Sequence, residues 1–318
     1  LVDPTREMFL GGDRQGEPAL REPIGDYLHA ARGVVCETEQ IVIGAGSEYL
    51  LMLLMGMLGR SHTVAMESPT YKQAYRVLAG QGVKVCPVGM DSRGMRVDAL
   101  EASGADIAYV MPSHQFPTGI VMPVRRRQEL LQWACRREGR FLIEDDYDSE
   151  FRYKGKPVPA LQGMGREDKV IYLGTFSQSI AAAIRISYMV LPPALLELYR
   201  ERAGFYASTV SRIDQNILYQ FLVRGHFERH LNRMRSVYRE KHDSLLAALS
   251  PLGDGFQVSG EYAGLHLLLT HREMPERELV RLAEEAGVGV YGLSSYFIGE
   301  PEKGEGSRTV ILGYASLT

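Results

Sequence analysis

Hydroxyl groups, an arginine and one unexpected amide meet in a short segment of this 318-residue sequence. An apolar run, residues 170–173, leads into the turn Gly174–Ser177, and Gln178 follows directly. An alanine-rich stretch comes next and ends at Arg185, seven residues after Gln178. The hydroxyl of Thr175 and the guanidinium of Arg185 are groups that hold phosphate. The segment is arranged like a phosphate-binding loop beside a reactive residue, but the residue at the reactive position is glutamine.

Gln178 determines what chemistry this loop can perform. With lysine in its place, the loop would have the layout of a pyridoxal-phosphate site, in which the amine holds the cofactor aldehyde as a Schiff base. A carboxamide nitrogen is not a useful nucleophile, so we expect no internal aldimine in this chain. The lysine would also have been the general base, a role worth roughly 10²–10⁴-fold in rate. We therefore expect transamination by this chain to be very slow.

A second chemical signal is the acidic end of an apolar strand, within residues 141–150. The carboxyl ends of parallel strands are where α/β proteins bind ligands. A buried carboxylate beside a pyridine nitrogen keeps that nitrogen protonated, and Asp145 is our candidate, with Tyr147 bonded to the ring hydroxyl. Two alternatives are open. The acids form a solvated turn, or Glu144, Asp145, Asp146 and Asp148 form a divalent-metal site in a different class of enzyme.

Three further segments supply groups suited to the same ligand. Ser47 opens a helix after the strand and glycine turn at residues 40–46, so the backbone N–H groups there can hold an anion. Tyr71 follows another strand and is suited to stacking on a pyridine ring. His114 or Gln115, in the turn after residues 107–111, could reach the ring hydroxyl. Taken singly, a core tyrosine and a hydrogen-bonded turn histidine are the commoner explanations.

The elements that must position these residues follow an α/β pattern. Short β-branched runs alternate with helical patterns, which predicts a mostly parallel sheet with crossover helices. The predicted strands are residues 40–43, 63–66, 83–88, 107–111, 141–144, 170–173 and 186–191. The predicted helices are residues 48–58, 71–79, 125–137, 194–207, 212–223 and 227–248. A smaller α/β unit follows, so we predict a large domain at residues 1–224 and a small domain at residues 225–318.

Composition limits the class of protein. The formal net charge of −3 argues against a broad nucleic-acid surface, and we expect the basic run Arg125–Arg127 to be a solvated helix start. Three widely spaced cysteines suit a reducing compartment, so we expect a cytoplasmic protein with structural cysteines. No apolar stretch approaches the ~20 residues that span a bilayer. The start at Leu1 leads us to expect part of a longer protein.

These segments together resemble the fold type I (aminotransferase-fold) pyridoxal-phosphate proteins over nearly the whole chain. More narrowly, the chain looks like the aminotransferase-like domain of MocR/GabR-type regulators, a branch of the GntR transcription factors. The segments that carry the narrower resemblance are residues 20–28, 31–33, 41–47, 112–119, 144–153 and 174–177. The acidic segment and the His-Gln-Phe-Pro turn are characteristic of that branch.

The resemblance assigns roles to positions of this chain. It implies that Asp145 pairs with the pyridine nitrogen, that Tyr147 bonds the ring oxygen and that Tyr71 stacks on the ring. It also implies that Thr175, Arg185 and the helix start at Ser47 hold the phosphate. The resemblance also implies a homodimer, in which the partner subunit completes the site. It further implies a winged-helix domain in a parent regulator, which would bind DNA only through that domain.

The chain departs from the family pattern at three positions. Gln178 replaces the lysine, and Ala182 stands where such loops commonly carry proline. Ile311 occupies the position expected for the arginine that binds a substrate carboxylate, and Arg308 lies nearby. An engineered change at Gln178 and natural loss in a sensing protein are both open.

We therefore predict an effector-sensing domain of a transcriptional regulator. It would bind pyridoxal phosphate non-covalently or as an amino-acid adduct, and its effector would be an amino acid or amine. The alternative is a pyridoxal-phosphate aminotransferase whose lysine has been mutated.

Overall fold

A computed structural model describes residues 9–154, 158–165, 168–299 and 308–316. Its large sheet has strands β1 (Ile41–Gly44), β2 (Thr63–Ser68), β3 (Lys84–Asp91), β4 (Gly94–Met95), β5 (Ile107–Val110), β6 (Phe141–Asp146), β7 (Val170–Thr175) and β8 (Ser187–Val190). Their order is β1-β8-β7-β6-β5-β2-β3-β4. Within the run β3-β2-β5-β6-β7, each strand is parallel to the next. Strand β8 is antiparallel to both of its neighbours.

Helices cover both faces of this sheet. They are α1 (Pro18–Arg32), α2 (Ser47–Leu58), α3 (Lys72–Gly80), α4 (Val97–Ala102), α5 (Val124–Cys135), α6 (Leu161–Met164), α7 (Pro193–Arg202), α8 (Arg212–Val223) and α9 (His226–Leu249). Apolar residues of α2, α3 and α7 share one core cluster with the sheet, and those of α1, α8 and α9 share another. Strands β1, β5 and β8 are buried along their whole length, as expected for a sheet covered on both faces.

The C-terminal part has its own smaller sheet. It contains β9 (Phe256–Ser259), β10 (His266–His271), β11 (Tyr291–Gly292) and β12 (Thr309–Gly313), in the order β11-β12-β10-β9 with antiparallel pairs. Helix α10 (Glu276–Glu285) packs its apolar side against this sheet. The α/β fold class is confirmed, with a large, mostly parallel sheet and a smaller C-terminal unit.

The predicted strands of the large sheet are all present, within a few residues of their predicted bounds. An eighth strand, β4, was not predicted, and it extends the sheet as a hairpin with β3. The predicted domain boundary falls at Gly225, which has φ 67° between α8 and α9. That division stays a prediction.

The expectation of a solvated basic run holds for Arg125, whose side chain is 83% exposed, and was wrong for the two arginines that follow it. Arg126 and Arg127, in the first turn of α5, are 4% and 0% exposed. Their guanidinium groups donate to backbone carbonyls, those of Gly94 and Met95 for Arg126 and those of Met122, Pro159 and Pro112 for Arg127. A charged side chain can be buried where hydrogen-bond partners such as these carbonyl groups surround it. The sequence alone does not predict which carbonyl groups lie near an arginine. Within the described residues, no helix combines the length and apolar character needed to cross a membrane.

Candidate functional site

A cleft of about 230 Å³ opens where β2, β5, β6 and β7 end, and we call it the strand-end cleft. It contains seven of the nine residues predicted from sequence: Ser47, Tyr71, Asp145, Tyr147, Thr175, Gln178 and Arg185. The other lining residues are Gly46, Glu48, Met111, Phe116, Ser177 and Ser187. Segments far apart in sequence, such as those of Glu48 and Arg185, which are 137 residues apart, therefore meet at one edge of the sheet, as the parallel topology requires.

Asp145 gives the cleft a buried carboxylate. It lies near the end of β6 and is 6% exposed. Tyr109, on neighbouring β5, donates its hydroxyl to Asp145 Oδ2. Burial raises the pKa of Asp145 to about 7, although the hydrogen bond from Tyr109 lowers it. A cationic N–H brought next to this carboxylate would favour its ionised form.

The neighbouring acids have separate partners. Glu144 accepts hydrogen bonds from the backbone N–H groups of Leu161 and Gln162, at 2.8 Å each. Asp146 forms an ion pair with Arg32 at 2.7 Å, and Asp148 lies 2.8 Å from His114 Nδ1. In the part of the chain that the structure describes, no three His, Cys, Asp or Glu side chains come together as metal ligands. The acidic segment is a set of buried, individually paired carboxylates, so neither a solvated turn nor a metal cluster describes it.

The opposite end of the cleft is built to hold an anion. Helix α2 begins there, and Gly46 precedes it with φ 97° and ψ 159°, a conformation essentially restricted to glycine. A Cβ on Gly46 would lie 2.4 Å from Arg185 Nη2, so the guanidinium fits against the helix start only because that residue is glycine. The first N–H groups of a helix have no partner within it, and they attract anions.

Hydroxyl groups line the same end. Ser187 donates its hydroxyl to Thr175 Oγ1 at 2.8 Å, and the backbone N–H of Ser177 also donates to Thr175 Oγ1, at 3.1 Å. The hydroxyl of Ser177 is buried and has no hydrogen-bond partner within the described ranges. Arg185 itself has φ 49°, and its guanidinium donates to Glu48 Oε2 at 2.8 Å. A bound phosphate would therefore compete with Glu48 for Arg185.

Aromatic rings form the wall between these two ends. The ring of Phe116 meets those of Tyr71 and Tyr147 edge to face, with centroids 6.0 Å and 6.3 Å apart. The hydroxyl of Tyr147 lies 2.9 Å from His114 Nδ1, and burial raises the pKa of Tyr147 well above its usual range. A flat heteroaromatic ring suits this wall, since offset or edge-to-face contacts between rings are favourable.

Gln178 lines the cleft and is exposed to it. The remaining predicted residues, His114 and Gln115, lie outside the cleft lining. His114 reaches the cleft only through Tyr147. Gln115 is occupied in its own turn, because it donates to Pro69 O at 2.8 Å and accepts from the backbone N–H of Thr118 at 3.0 Å.

Sequence reasoning missed several residues of the site, among them the following four. Tyr109 contacts Asp145 because β5 pairs with β6, and Phe116, Glu48 and Ser187 each line the cleft. Phe116 lies in the turn motif that sequence analysis singled out for its neighbours. Ser187 and Glu48 have contacts that depend on which strands and helices are adjacent, which local sequence does not reveal.

The cleft has the donors and acceptors that pyridoxal phosphate requires. The glycine cradle at Gly46, the unpartnered hydroxyl of Ser177 and the guanidinium of Arg185 suit its phosphate. The buried carboxylate of Asp145 suits its ring nitrogen. Gln178 lines the same cleft, and its side chain is an amide.

Comparison with known proteins agrees with this geometry. The profile of the aminotransferase class I and II family matches residues 4–303. The chain is 38% identical to the uncharacterized HTH-type transcriptional regulator YdeL of Bacillus subtilis (strain 168), and the match covers 98% of this chain and 67% of that protein. It is 33% identical to the probable rhizopine catabolism regulatory protein MocR of Rhizobium meliloti, over 95% of this chain and 61% of that protein.

Among solved structures, an archaeal alanine:glyoxylate aminotransferase matches with a TM-score of 0.85 and 26% identity, over 98% of this chain and 79% of that chain. The chain therefore spans about two thirds of the length of the curated regulators that it matches.

Proposed function

We propose that this chain, which belongs to the aminotransferase class I and II family and is similar to MocR-type regulators, is the effector-sensing domain of a pyridoxal-phosphate-dependent transcriptional regulator. The observation that carries the proposal is the strand-end cleft, where the groups for phosphate, ring and ring nitrogen surround an amide in place of an amine. The domain would hold the cofactor without a covalent bond to the chain. Its output would be a change of conformation.

The proposed roles follow from the positions of the side chains. Arg185, Thr175, Ser47 and the start of α2 hold the phosphate, and Tyr71 stacks on the ring. Asp145 accepts a hydrogen bond from the ring nitrogen, and Tyr147 donates to the ring oxygen. When bound, pyridoxal phosphate supplies an aldehyde and an electron-withdrawing ring. The bonds of Asp145 to the ring nitrogen and of Arg185 to the phosphate are charge-assisted, and such hydrogen bonds are roughly twice as strong as neutral ones.

Gln178 favours sensing over turnover. Its amide cannot hold the aldehyde covalently, and it cannot move a proton at a substrate carbon at neutral pH. The phosphate and ring contacts then provide the whole affinity for the cofactor. An amine or amino acid that enters the cleft would be retained and not converted, which is the behaviour required of a sensor.

The usual route for binding an amino-acid carboxylate is not supported by the described residues. Ile311 is 4% exposed in β12 and pairs with Leu268. Arg308 donates to the backbone carbonyl of Arg272. The effector's carboxylate, if it has one, would require another partner, and an amine effector needs none.

The small domain contacts the wall of the cleft. The rings of Phe116 and Tyr296 lie 5.3 Å apart, and the backbone N–H of Thr70 donates to Tyr296 O at 3.0 Å. Effector binding would bias closure at this contact, provided that the ligand has a higher affinity for one state. An attached DNA-binding domain, paired across a homodimer in the cytoplasm, would respond to that bias. Equal effector affinity in forms cross-linked open and closed would contradict this mechanism.

The direct experiment is a titration of the chain with pyridoxal phosphate, alone and with a panel of D- and L-amino acids and amines, followed by absorbance and thermal shift. We expect saturable stabilisation by the cofactor and further stabilisation by one effector class. No response to any combination would overturn the proposal.

A Gln178→Lys variant separates sensing from catalysis. It should gain the visible absorbance of a covalently held cofactor, while Gln132→Lys, which adds a lysine to the exposed side of α5, should not. A sensor would gain colour with little turnover. Rapid half-reactions with amino acids in Gln178→Lys would favour the alternative, an aminotransferase that has lost its lysine, which is consistent with the otherwise complete cleft.

A further inference from the structure

A second cavity, of about 280 Å³, lies on the other side of the acidic segment. We call it the arginine cavity. Its lining residues are Tyr27, Ala31, Arg32, Ser113, Arg127, Ser149, Glu150, Arg152, Val158, Arg235 and Ala263. None of these residues lines the strand-end cleft. Most belong to the large domain, while Arg235 on α9 and Ala263 before β10 belong to the C-terminal part.

Four guanidinium groups line this cavity, whereas Glu150 is the one carboxylate among its described lining residues. Arg127 is 0% exposed and donates only to backbone carbonyls. Arg235 donates to the backbone carbonyl of Glu150 at 2.9 Å and to Asn232 Oδ1 at 3.0 Å. Arg32 is paired with Asp146. Arg152 Nε is buried and has no hydrogen-bond partner within residues 9–154, 158–165, 168–299 and 308–316.

The carboxylates Glu144 and Asp146 act on Arg127 and Arg32 from outside the lining, so Arg152 and Arg235 have Glu150 as the one carboxyl group among the described lining residues. Glu150 Oε1 accepts a hydrogen bond from the hydroxyl of Tyr27 at 2.8 Å. Burial raises the pKa of Glu150 to about 7, so that this carboxyl is substantially protonated at neutral pH. Burial and the charge of Arg32 lower the pKa of Arg152. An anion placed between these groups would relieve the repulsion among the guanidinium groups.

We propose that the arginine cavity is a second ligand site, which binds a small anion bearing carboxylate or phosphate groups. Arg152 supplies the buried N–H that has no partner among the described residues, and Arg235 closes the site from α9. Planar guanidinium groups bind both kinds of oxyanion in a two-pronged geometry. Polar donors without partners inside proteins are rare, and a ligand that accepts from Arg152 Nε explains this one.

The position of the cavity connects it to the strand-end cleft. Arg32 pairs with Asp146, whose neighbour Asp145 faces the cleft, and Arg32 also donates to Ser113 Oγ at 2.7 Å. The residue after Ser113 is His114, which contacts Tyr147 in the cleft wall. An anion that joins Arg235 of α9 to Arg152 would hold the C-terminal part against the large domain. The second ligand would therefore act on the same closure as the effector, but the binding proposal stands without any role for pyridoxal phosphate.

The test uses inorganic phosphate and succinate as separate probes, measured by calorimetry and thermal shift. Because phosphate is also expected to enter the strand-end cleft, every titration is made in an Arg185→Gln background. We expect saturable binding of at least one probe, and at least a tenfold loss of its affinity in Arg152→Gln and in Arg235→Gln. Arg93→Gln, which changes an arginine 51% exposed in the β3–β4 hairpin, is the matched control and should bind normally.

The outcomes are distinct. Binding of phosphate alone identifies a phosphate site, and binding of succinate alone identifies a carboxylate site. The proposal is overturned if neither probe binds, or if the binding is unchanged in Arg152→Gln and Arg235→Gln. Arg235 is exposed, so its replacement tests the site even if Arg152→Gln unfolds. Failure of the unmutated chain to bind pyridoxal phosphate, by contrast, would contradict the proposed function and leave this site untouched.

Discussion

Asp145 and Asp146 are neighbours in sequence, but we expect their carboxylates to affect stability in opposite ways. Asp145 faces a tyrosine hydroxyl in the cleft, and burial raises its pKa to about 7. Without the cofactor, Asp145→Asn removes a charge that is costly to bury and keeps an acceptor for Tyr109. We expect the free energy of unfolding at pH 8 to rise by about 1–2 kcal/mol. The affinity for pyridoxal phosphate should fall at least ~tenfold, because a charge-assisted hydrogen bond is lost.

Asp146→Asn is the matched variant on the same strand. Asp146 accepts from Arg32 Nε at 2.7 Å, and the two side chains are 1% and 8% exposed. Removing the charge leaves Arg32 buried without its counter-ion, so we expect a loss of about 2–4 kcal/mol. Chemical denaturation of both variants, without and with cofactor, checks the pair. Destabilisation of both by similar amounts would contradict the division between a functional and a structural carboxylate.

For individual residues, the sequence predicted which side chains line the cleft better than it predicted which partners those side chains contact. Asp145, Tyr147 and Arg185 were found because strand ends and phosphate loops have local signatures. Tyr109 was missed because its contact depends on the pairing of β5 with β6. Gln115 was predicted from its place in a motif, yet its side-chain amide is hydrogen-bonded to the backbone of Pro69 and Thr118.

Helix α2 is the element whose start we propose as the anion site of the cleft. Gly46→Ala would force an L-residue into φ 97° and ψ 159°, at a cost on the order of 1–3 kcal/mol. It would also displace Arg185, whose Nη2 would lie 2.4 Å from the new Cβ. We expect lower stability and much weaker binding of both inorganic phosphate and pyridoxal phosphate.

Gly56→Ala is the control in the same helix. This residue lies in the interior of α2, is exposed, and has nothing within 4 Å of an added Cβ. Alanine there should stabilise the chain by about 0.5–1 kcal/mol and leave ligand binding unchanged. Thermal unfolding and phosphate titration of both variants measure the two effects. Unchanged affinity in Gly46→Ala would show that the helix start does not hold the anion.

The elements themselves could largely be predicted because buried strands and amphipathic helices have strong periodic patterns. The bounds of α8 were predicted without error, and those of α9 within one residue at each end. Helix α1 was not predicted, and Pro23 inside it weakens its local signal. The two-residue strand β4 is too short to have a pattern. Its formation depends on the hairpin with β3.

For the molecule as a whole, its buried carboxyl groups predict how stability depends on pH. Burial raises the pKa of four of them to about 7, from ordinary values of 4.5 or 3.8. They are Glu67, Glu144, Asp145 and Glu150. Between about pH 4.5 and 7 the folded chain keeps protons that the unfolded chain has released. The free energy of unfolding therefore falls as the pH rises through this window.

His266 opposes this trend, but it does not reverse it. Burial lowers its pKa from 6.5 to about 3, so below pH 6.5 the unfolded chain gains a proton that the folded chain does not. Because four carboxyl groups act against one histidine, the carboxyl groups dominate. We expect the free energy of unfolding to decrease by at least about 1 kcal/mol per pH unit between pH 5.5 and 7.5. Urea titrations across that range measure the slope.

Glu67→Gln tests the origin of that slope at a residue that lines neither cavity. Glu67 is 0% exposed, and its Oε1 has no hydrogen-bond partner in the described part of the chain. The glutamine cannot ionise, so it should reduce the decrease between pH 5.5 and 7.5 by up to ~1.4 kcal/mol per pH unit. It should also make the chain more stable at pH 8. A wild-type profile that is flat or rises with pH would mean that these carboxyl groups ionise freely in the folded chain. An unchanged slope in Glu67→Gln would remove this residue from the account while leaving the other three carboxyl groups to be tested in turn.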